Sequence, residues 1–171
     1  MSVRYEDLAG YFGVDNLVRA DAAALSGMTL PPDAVRVLTE VGLPRAIEDE
    51  SFTAEPPQPV QVVGSPDAFL RFGRCSGSFF AMSPATGEVW AVSLYPGDTH
   101  PGFVNSSLDA FVECLLRFTT LWEQMPDVRS LPGESERWAD LIEQELRAVD
   151  PPCVEPDAFY GEVIEEVLMG I

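Results

Sequence analysis

Proton transfer to or from a nucleophile needs a base held beside it. This chain is poor in bases, with one histidine, His100, and no lysine. The nucleophiles His100 would have to activate are Cys75 and Ser76, in Gly73-Arg74-Cys75-Ser76-Gly77. That stretch reads as a hairpin turn, and Asp98-Thr99-His100-Pro101 reads as a solvated loop. The glycines around Arg74 do not make a phosphate cradle, since the lysine and the spacing such a loop needs are missing. The cysteines Cys75, Cys114 and Cys153 are far apart and form no Cys-x-x-Cys pair, so neither a zinc site nor a disulfide framework is indicated. Glu48-Asp49-Glu50 is a local carboxylate run, which an exposed loop carries as solvated charge. Asn105-Ser106-Ser107 matches a glycosylation acceptor in form, but it is better explained as a helix cap. Carboxylate pairs carry no weight in so acidic a chain. The residue types point away from catalysis and imply no metal and no cofactor.

Charge says more. The chain has 171 residues, with 28 acids against 10 basic residues, every one of them arginine, for a formal net charge of −18. Residues 134 to 171 alone hold eleven acids and two arginines. Such a chain is repelled by nucleic acid and by anionic membranes. It attracts a basic partner and associates with it faster. No stretch of about 18 apolar residues offers a membrane span, and Met1 to Glu6 lacks the pattern of a signal peptide, so the expected location is the cytoplasm. The length fits a single domain over 1–171, acting as a monomer or weak dimer. At this size folding hides roughly 70% of the extended chain's surface.

Several elements are needed to position these residues. Tyr5 to Phe12 suits a short helix, and Leu17 to Ala20 suits a strand or the start of a helix. Pro31-Pro32-Asp33 opens a helix whose apolar face is Ala34, Val37, Leu38 and Val41, with Gly42 as its stop. Residues 46 to 59, acidic and proline-rich, read as a mobile loop. Val60 to Val63, Ala68 to Phe72, Ser78 to Met82 and Val89 to Leu94 are short apolar runs separated by turn residues. They predict an antiparallel meander, with Phe103-Val104 as a short edge strand. Ser106, with Asp109 three residues on, is the expected cap of a helix with the stripe Leu108, Phe111, Val112, Leu115, Phe118 and Trp122. A further helix spans Glu134 to Val149 and is broken by Pro151-Pro152. A last helix starts at Glu155-Pro156 and ends at Gly170. Trp90, Trp122 and Trp138 are expected in the core, and Tyr95 is expected exposed. The class is α+β: an antiparallel or mixed sheet of four to six strands with helices packed against it.

Several segments carry a family likeness. They are Leu30-Pro31 followed by Arg36-Val37-Leu38-Thr39-Glu40-Val41-Gly42-Leu43-Pro44, then Thr86-Gly87-Glu88-Val89-Trp90. Phe103-Val104-Asn105-Ser106-Ser107-Leu108-Asp109-Ala110-Phe111 and the terminal Asp157-Ala158-Phe159-Tyr160 complete the set. In this order, over Leu30 to Gly170, the chain resembles the SUKH superfamily of immunity proteins, most closely its fourth subfamily, common in actinomycetes. The resemblance implies a SUKH-like α+β fold, no enzyme activity, no cofactor and a role in neutralising polymorphic toxins, whose catalytic domains include nucleases and nucleic-acid deaminases. It supplies no binding site. The residues expected to touch a basic toxin are Glu48, Asp49, Glu50 and Glu55 in the acidic loop and Tyr95 and Asp98 at the sheet end. Asp140 and Glu143 on the penultimate helix come next. A regulatory or scaffold protein of the same fold, bound to a housekeeping partner, is the alternative.

Overall fold

The computed structural model describes residues 3–47, 51–95, 101–126 and 133–170. Helix α1 (Tyr5–Phe12) leads to a two-residue strand β1 (Leu17–Val18). Helix α2 (Pro32–Arg36) continues as a π-helical turn over Val37–Val41, and β2 (Leu43–Pro44) then pairs with β1. Five strands follow: β3 (Thr53–Gln61), β4 (Ala68–Cys75), β5 (Ser78–Met82), β6 (Val89–Ser93) and β7 (Gly102–Asn105). They lie in sequence order as one antiparallel sheet. The chain closes with α3 (Leu108–Gln124), α4 (Glu134–Arg147), a 3-10 turn (Pro151–Val154) and α5 (Phe159–Met169). The α+β class expected from the sequence is the class observed.

Residues 46 to 59 are not a loop throughout. Thr53–Gln61 is the edge strand β3 despite Pro56, Pro57 and Pro59. An edge strand needs N–H donors on one side only, so proline is tolerated there. Thr53 and Ala54 pair with Arg74 and Gly73, and pairing resumes at Gln58 opposite Arg71. The bulge between absorbs Glu55-Pro56-Pro57.

The core lies between one sheet face and the helices. Phe111 of α3 stands with its ring centroid 5.6 Å from Phe52, 5.3 Å from Phe72 and 5.2 Å from Phe80. Each such pair adds about 0.5–1.5 kcal/mol beyond the area it buries. Leu70, Met82, Val89 and Val104 complete the inner sheet face. Trp138 joins this core and Trp122 packs partly against it, as expected, but Trp90 does not. It faces the other side of the sheet, because it alternates with Val89 and Ala91.

A buried carboxylate locks the end of the sheet to the C-terminal helices. Asp150, 4% exposed, accepts from Asn105 Nδ2 at 2.9 Å, Ser106 N at 2.8 Å and Ser106 Oγ at 2.7 Å. This moves the cap of α3: Ser107, not Ser106, accepts the Ala110 N–H at 3.1 Å. Ser106 is used by Asp150, and Asp109 pairs with Arg36 instead of closing a capping box. The start of α5 also differs from expectation. Glu155-Pro156 precedes the helix, whose N-cap is Ala158. Gly161 explains the offset, since a Cβ there would stand 2.0 Å from the Glu155 carbonyl oxygen. The approach to α5 folds back onto its first turn, which only glycine permits. Next to the Asp150 lock, Cys114 and Cys153 are both buried, with their sulfurs 3.9 Å apart as free thiols.

Candidate functional site

The acids and aromatics singled out in the sequence fall in separate places. Glu48, Asp49, Glu50 and Asp98, with His100, lie outside the described residues. Glu55 sits on β3 at the bulge. Its carboxylate accepts from Arg71 Nε at 2.5 Å and Nη2 at 2.9 Å and lies 3.8 Å from Arg74 Nε. Its charge is therefore largely answered from within the protein. Tyr95 follows β6 and is 68% exposed, with its ring against Gly77 of the β4–β5 turn. Leu94 beside it is 54% exposed. Pairing of Thr53 with Arg74, Arg74 with Phe79 and Phe79 with Val92 carries Glu55 and Tyr95 to the same end of the sheet.

Asp140 and Glu143 are elsewhere, on α4, which packs against α3, α5 and the 3-10 turn. Asp140 is exposed, and Glu143 holds Arg147 at 2.9 Å. Glu136 on α4 and Glu162, Glu165 and Glu166 on α5 are exposed too, as is Asp157 just before α5. No hydrogen bond or ion pair among the described residues joins this acidic helical side to Glu55 or Tyr95.

A surface the sequence reading missed is the outer face of the sheet. An antiparallel sheet covered on one side usually carries polar side chains on the other. Here the residues that alternate with the core positions are the half-buried Phe69 and Arg71 on β4, Trp90 and Val92 on β6 and Phe103 on β7, with the buried Phe79 and Ala81 of β5 between them. Trp90 meets Phe103 edge to face at 5.6 Å. The Arg71 guanidinium lies 4.8 Å over the Phe79 ring while it grips Glu55. Phe69, Trp90, Val62 and Pro101 border a groove of about 320 Å³ on this side. The signal was present in the sequence. Phe79-Phe80-Ala81-Met82 and Val89-Trp90-Ala91-Val92 are unbroken apolar runs, and a meander whose helices cover one face leaves half of each run outside.

Two of the cysteine thiols are held in their protonated form. Burial pushes the half-buried Cys75 thiol above its ordinary range, which weakens it as a nucleophile. A hydrogen bond to Cys153, then burial, holds the Cys114 thiol far above the same range. Among the described residues, no group of three or more His, Cys, Asp or Glu side chains is placed to hold a metal ion, and no helix is long and apolar enough to cross a membrane.

The sequence matches the family model described as SUKH-4 immunity protein over residues 3–166. No curated protein and no solved structure matches the chain. The matched span runs from before α1 into α5 and takes in the π-helical turn, the whole meander and the Asn105-Ser106-Asp150 lock. The family's description carries a function, immunity against a toxin, and with nearly the whole length matched the chain belongs to the SUKH-4 immunity protein family.

Proposed function

We propose that this protein binds and neutralises a toxin whose catalytic domain acts on nucleic acid, and that it does so by covering that domain's basic substrate groove. The observation that carries the reading is the outer sheet face. Phe69, Trp90 and Phe103, each half-buried and outside the core cluster, form an apolar platform in a protein of net charge −18. Protein interfaces combine a central apolar patch rich in aromatics with a polar rim. Here the described rim residues are Glu55 and Tyr95, while Glu48, Asp49, Glu50 and Asp98, the other contacts expected from the sequence, lie outside the described residues. Asp140, Glu143 and the other carboxylates of α4 and α5 contribute to the long-range field that steers a basic partner inward. They lie outside the contact itself. Inhibition on this reading is steric and electrostatic, requires no cofactor, and is exerted in the cytoplasm by a monomer or weak dimer of the chain.

The test is co-expression with the toxin domains encoded beside the gene, followed by affinity measurement on the pair that restores growth. Trp90→Ala weakens binding by about 2 kcal/mol or more, roughly thirtyfold. Asp140→Lys with Glu143→Lys slows association, more at low salt than at high, and changes dissociation little. If no neighbouring toxin is neutralised, the immunity reading against such a partner fails. If one is neutralised but Trp90→Ala and Phe69→Ala leave affinity unchanged, the sheet face is not the interface.

A further inference from the structure

The described residues include nine arginines, and seven of them stand in ion pairs with carboxylates. The other two, Arg19 and Arg45, are both exposed and both line one cleft of about 360 Å³ between the N-terminal segment and β3. Arg19 lies 4.2 Å over the Tyr5 ring. The rest of the lining is mostly apolar, with Leu38, Leu43, Ala54 and Pro57.

The cleft walls are held rigidly. The π-helical turn of Val37–Val41 leaves the Leu38 carbonyl free to accept the Ala20 N–H at 2.8 Å, which ties the N-terminal segment to the helix end. Arg45 N–H donates to the Asn16 carbonyl at 2.6 Å, and the Ala54 N–H donates to the Arg45 carbonyl at 3.0 Å. Gly42, at φ +91°, ends the turn, and a Cβ on it would come within 3.2 Å of Arg19 Cγ. A rigid site binds without the cost of ordering its own walls. Departures from α-helical winding of this kind are frequent at functional sites.

The acids in the lining are already engaged. Asp21 Oδ1 accepts the Ala23 N–H at 2.9 Å, and Glu55 is held by Arg71 and Arg74. The electrostatic capacity left over in the cleft is therefore positive, against a chain charge of −18. Pro56 and Pro57 carry no N–H, so a peptide cannot add along this stretch as a further strand. An occupant must be held by side-chain chemistry.

We propose that this cleft is a binding site for a small amphipathic carboxylate, an aliphatic or arylalkanoic acid, with its apolar body against Leu38, Leu43 and Pro57 and its carboxylate on Arg19 and Arg45. The cleft meets the rim of the sheet face assigned to the toxin at Glu55, but the ligand contacts proposed here use none of that face's aromatic residues.

The experiment is calorimetric titration of the full chain with octanoate and 4-phenylbutanoate, with octanol and octylammonium as controls. It is paired with amide and methyl chemical-shift mapping. The expected result is saturable one-to-one binding of a carboxylate, with shifts at Leu38, Leu43 and Ala54 and no binding of octylammonium. Affinity falls roughly tenfold or more in Arg45→Gln and further in Arg19→Gln/Arg45→Gln. Both side chains are exposed, so the variants retain the wild-type thermal transition. Failure of both carboxylates to saturate overturns the proposal. So does equal binding of octanol, shifts that map to another surface, or unchanged affinity in the double variant.

Discussion

Asp150 is where a single substitution should do the most damage for a reason that can be worked through atom by atom. Its Oδ2 accepts two donors, Asn105 Nδ2 and Ser106 N, and its Oδ1 accepts Ser106 Oγ. Hydrogen bonds to a charged acceptor are worth about 1.5–3 kcal/mol each, and a buried donor left without a partner costs about 1–3 kcal/mol. Asp150→Ala removes all three acceptor contacts. Asn105 is fully buried, its Oδ1 already lacks a partner, and its Nδ2 would keep only the weakly accepting Cys114 sulfur at 3.4 Å. The Ser106 hydroxyl is only partly buried and finds water. The net loss is then about 3–4 kcal/mol. With a urea slope of about 2 kcal/mol/M, the unfolding midpoint falls by about 1.5–2 M. Asp150→Asn behaves differently. Its oxygen can occupy the Oδ2 position and keep both N–H donors, and its NH2 can donate to the Ser106 oxygen, which accepts as readily as it donates. That variant keeps the geometry and loses only charge assistance, about 1 kcal/mol. The assay is urea denaturation followed by tryptophan fluorescence. Equal loss in the Ala and Asn variants, or an Ala loss under about 1 kcal/mol, would refute the hydrogen-bond argument.

Gly161→Ala brings a methyl group to 2.0 Å from the Glu155 carbonyl. It must displace the start of α5 and lower stability by about 3 kcal/mol or more, read from the same urea curves. Wild-type stability there would mean that the approach to α5 is not packed as described. Alkaline pH gives a third expectation. Cys114 is held protonated by its hydrogen bond to Cys153 and by burial, burial does the same to Tyr160, and burial pushes Tyr11 up to about 12. The folded state binds these protons more tightly than the unfolded chain does. The stability they contribute is complete below the unfolded pKa values, about 9 for the thiol and 10 for the phenols, and is lost as pH rises beyond them. The urea midpoint should hold between pH 7 and pH 8.5 and fall toward pH 11, with a shallower fall in Cys114→Ala. A midpoint flat to pH 11 contradicts the burial of these groups. At neutral pH a thiol reagent should label Cys75 slowly and leave Cys114 and Cys153 untouched until the protein unfolds.

Most of the architecture was legible because it rests on local signals. The turn residues between residues 63 and 89 set the meander, the stripe from Leu108 to Trp122 set α3, and Gly42 and Gly170 closed their helices where expected. The errors arose where the tertiary setting overrode a local rule. Asp150 claimed Ser106 and passed the cap of α3 to Ser107. The free outer edge of the sheet let a proline-rich segment run as β3. The fold-back onto Gly161 delayed α5. The candidate surfaces were less legible for the same reason. Glu55 reads as a free acid in a loop until Arg71 and Arg74 are seen gripping it across the bulge. Trp90 reads as core until the register shows which face it takes. Charge can be counted in a sequence, but which charges are already answered cannot. That bookkeeping separates the two surfaces here. Glu136 and Asp140 of α4 and Glu162, Glu165 and Glu166 of α5 stand in no ion pair among the described residues and project a field outward, while the sheet face offers aromatic area with few charges to desolvate. A toxin drawn in by the first and seated on the second would gain association rate and residence time from different parts of the molecule. Helix substitutions should therefore act on association, and sheet-face substitutions on dissociation.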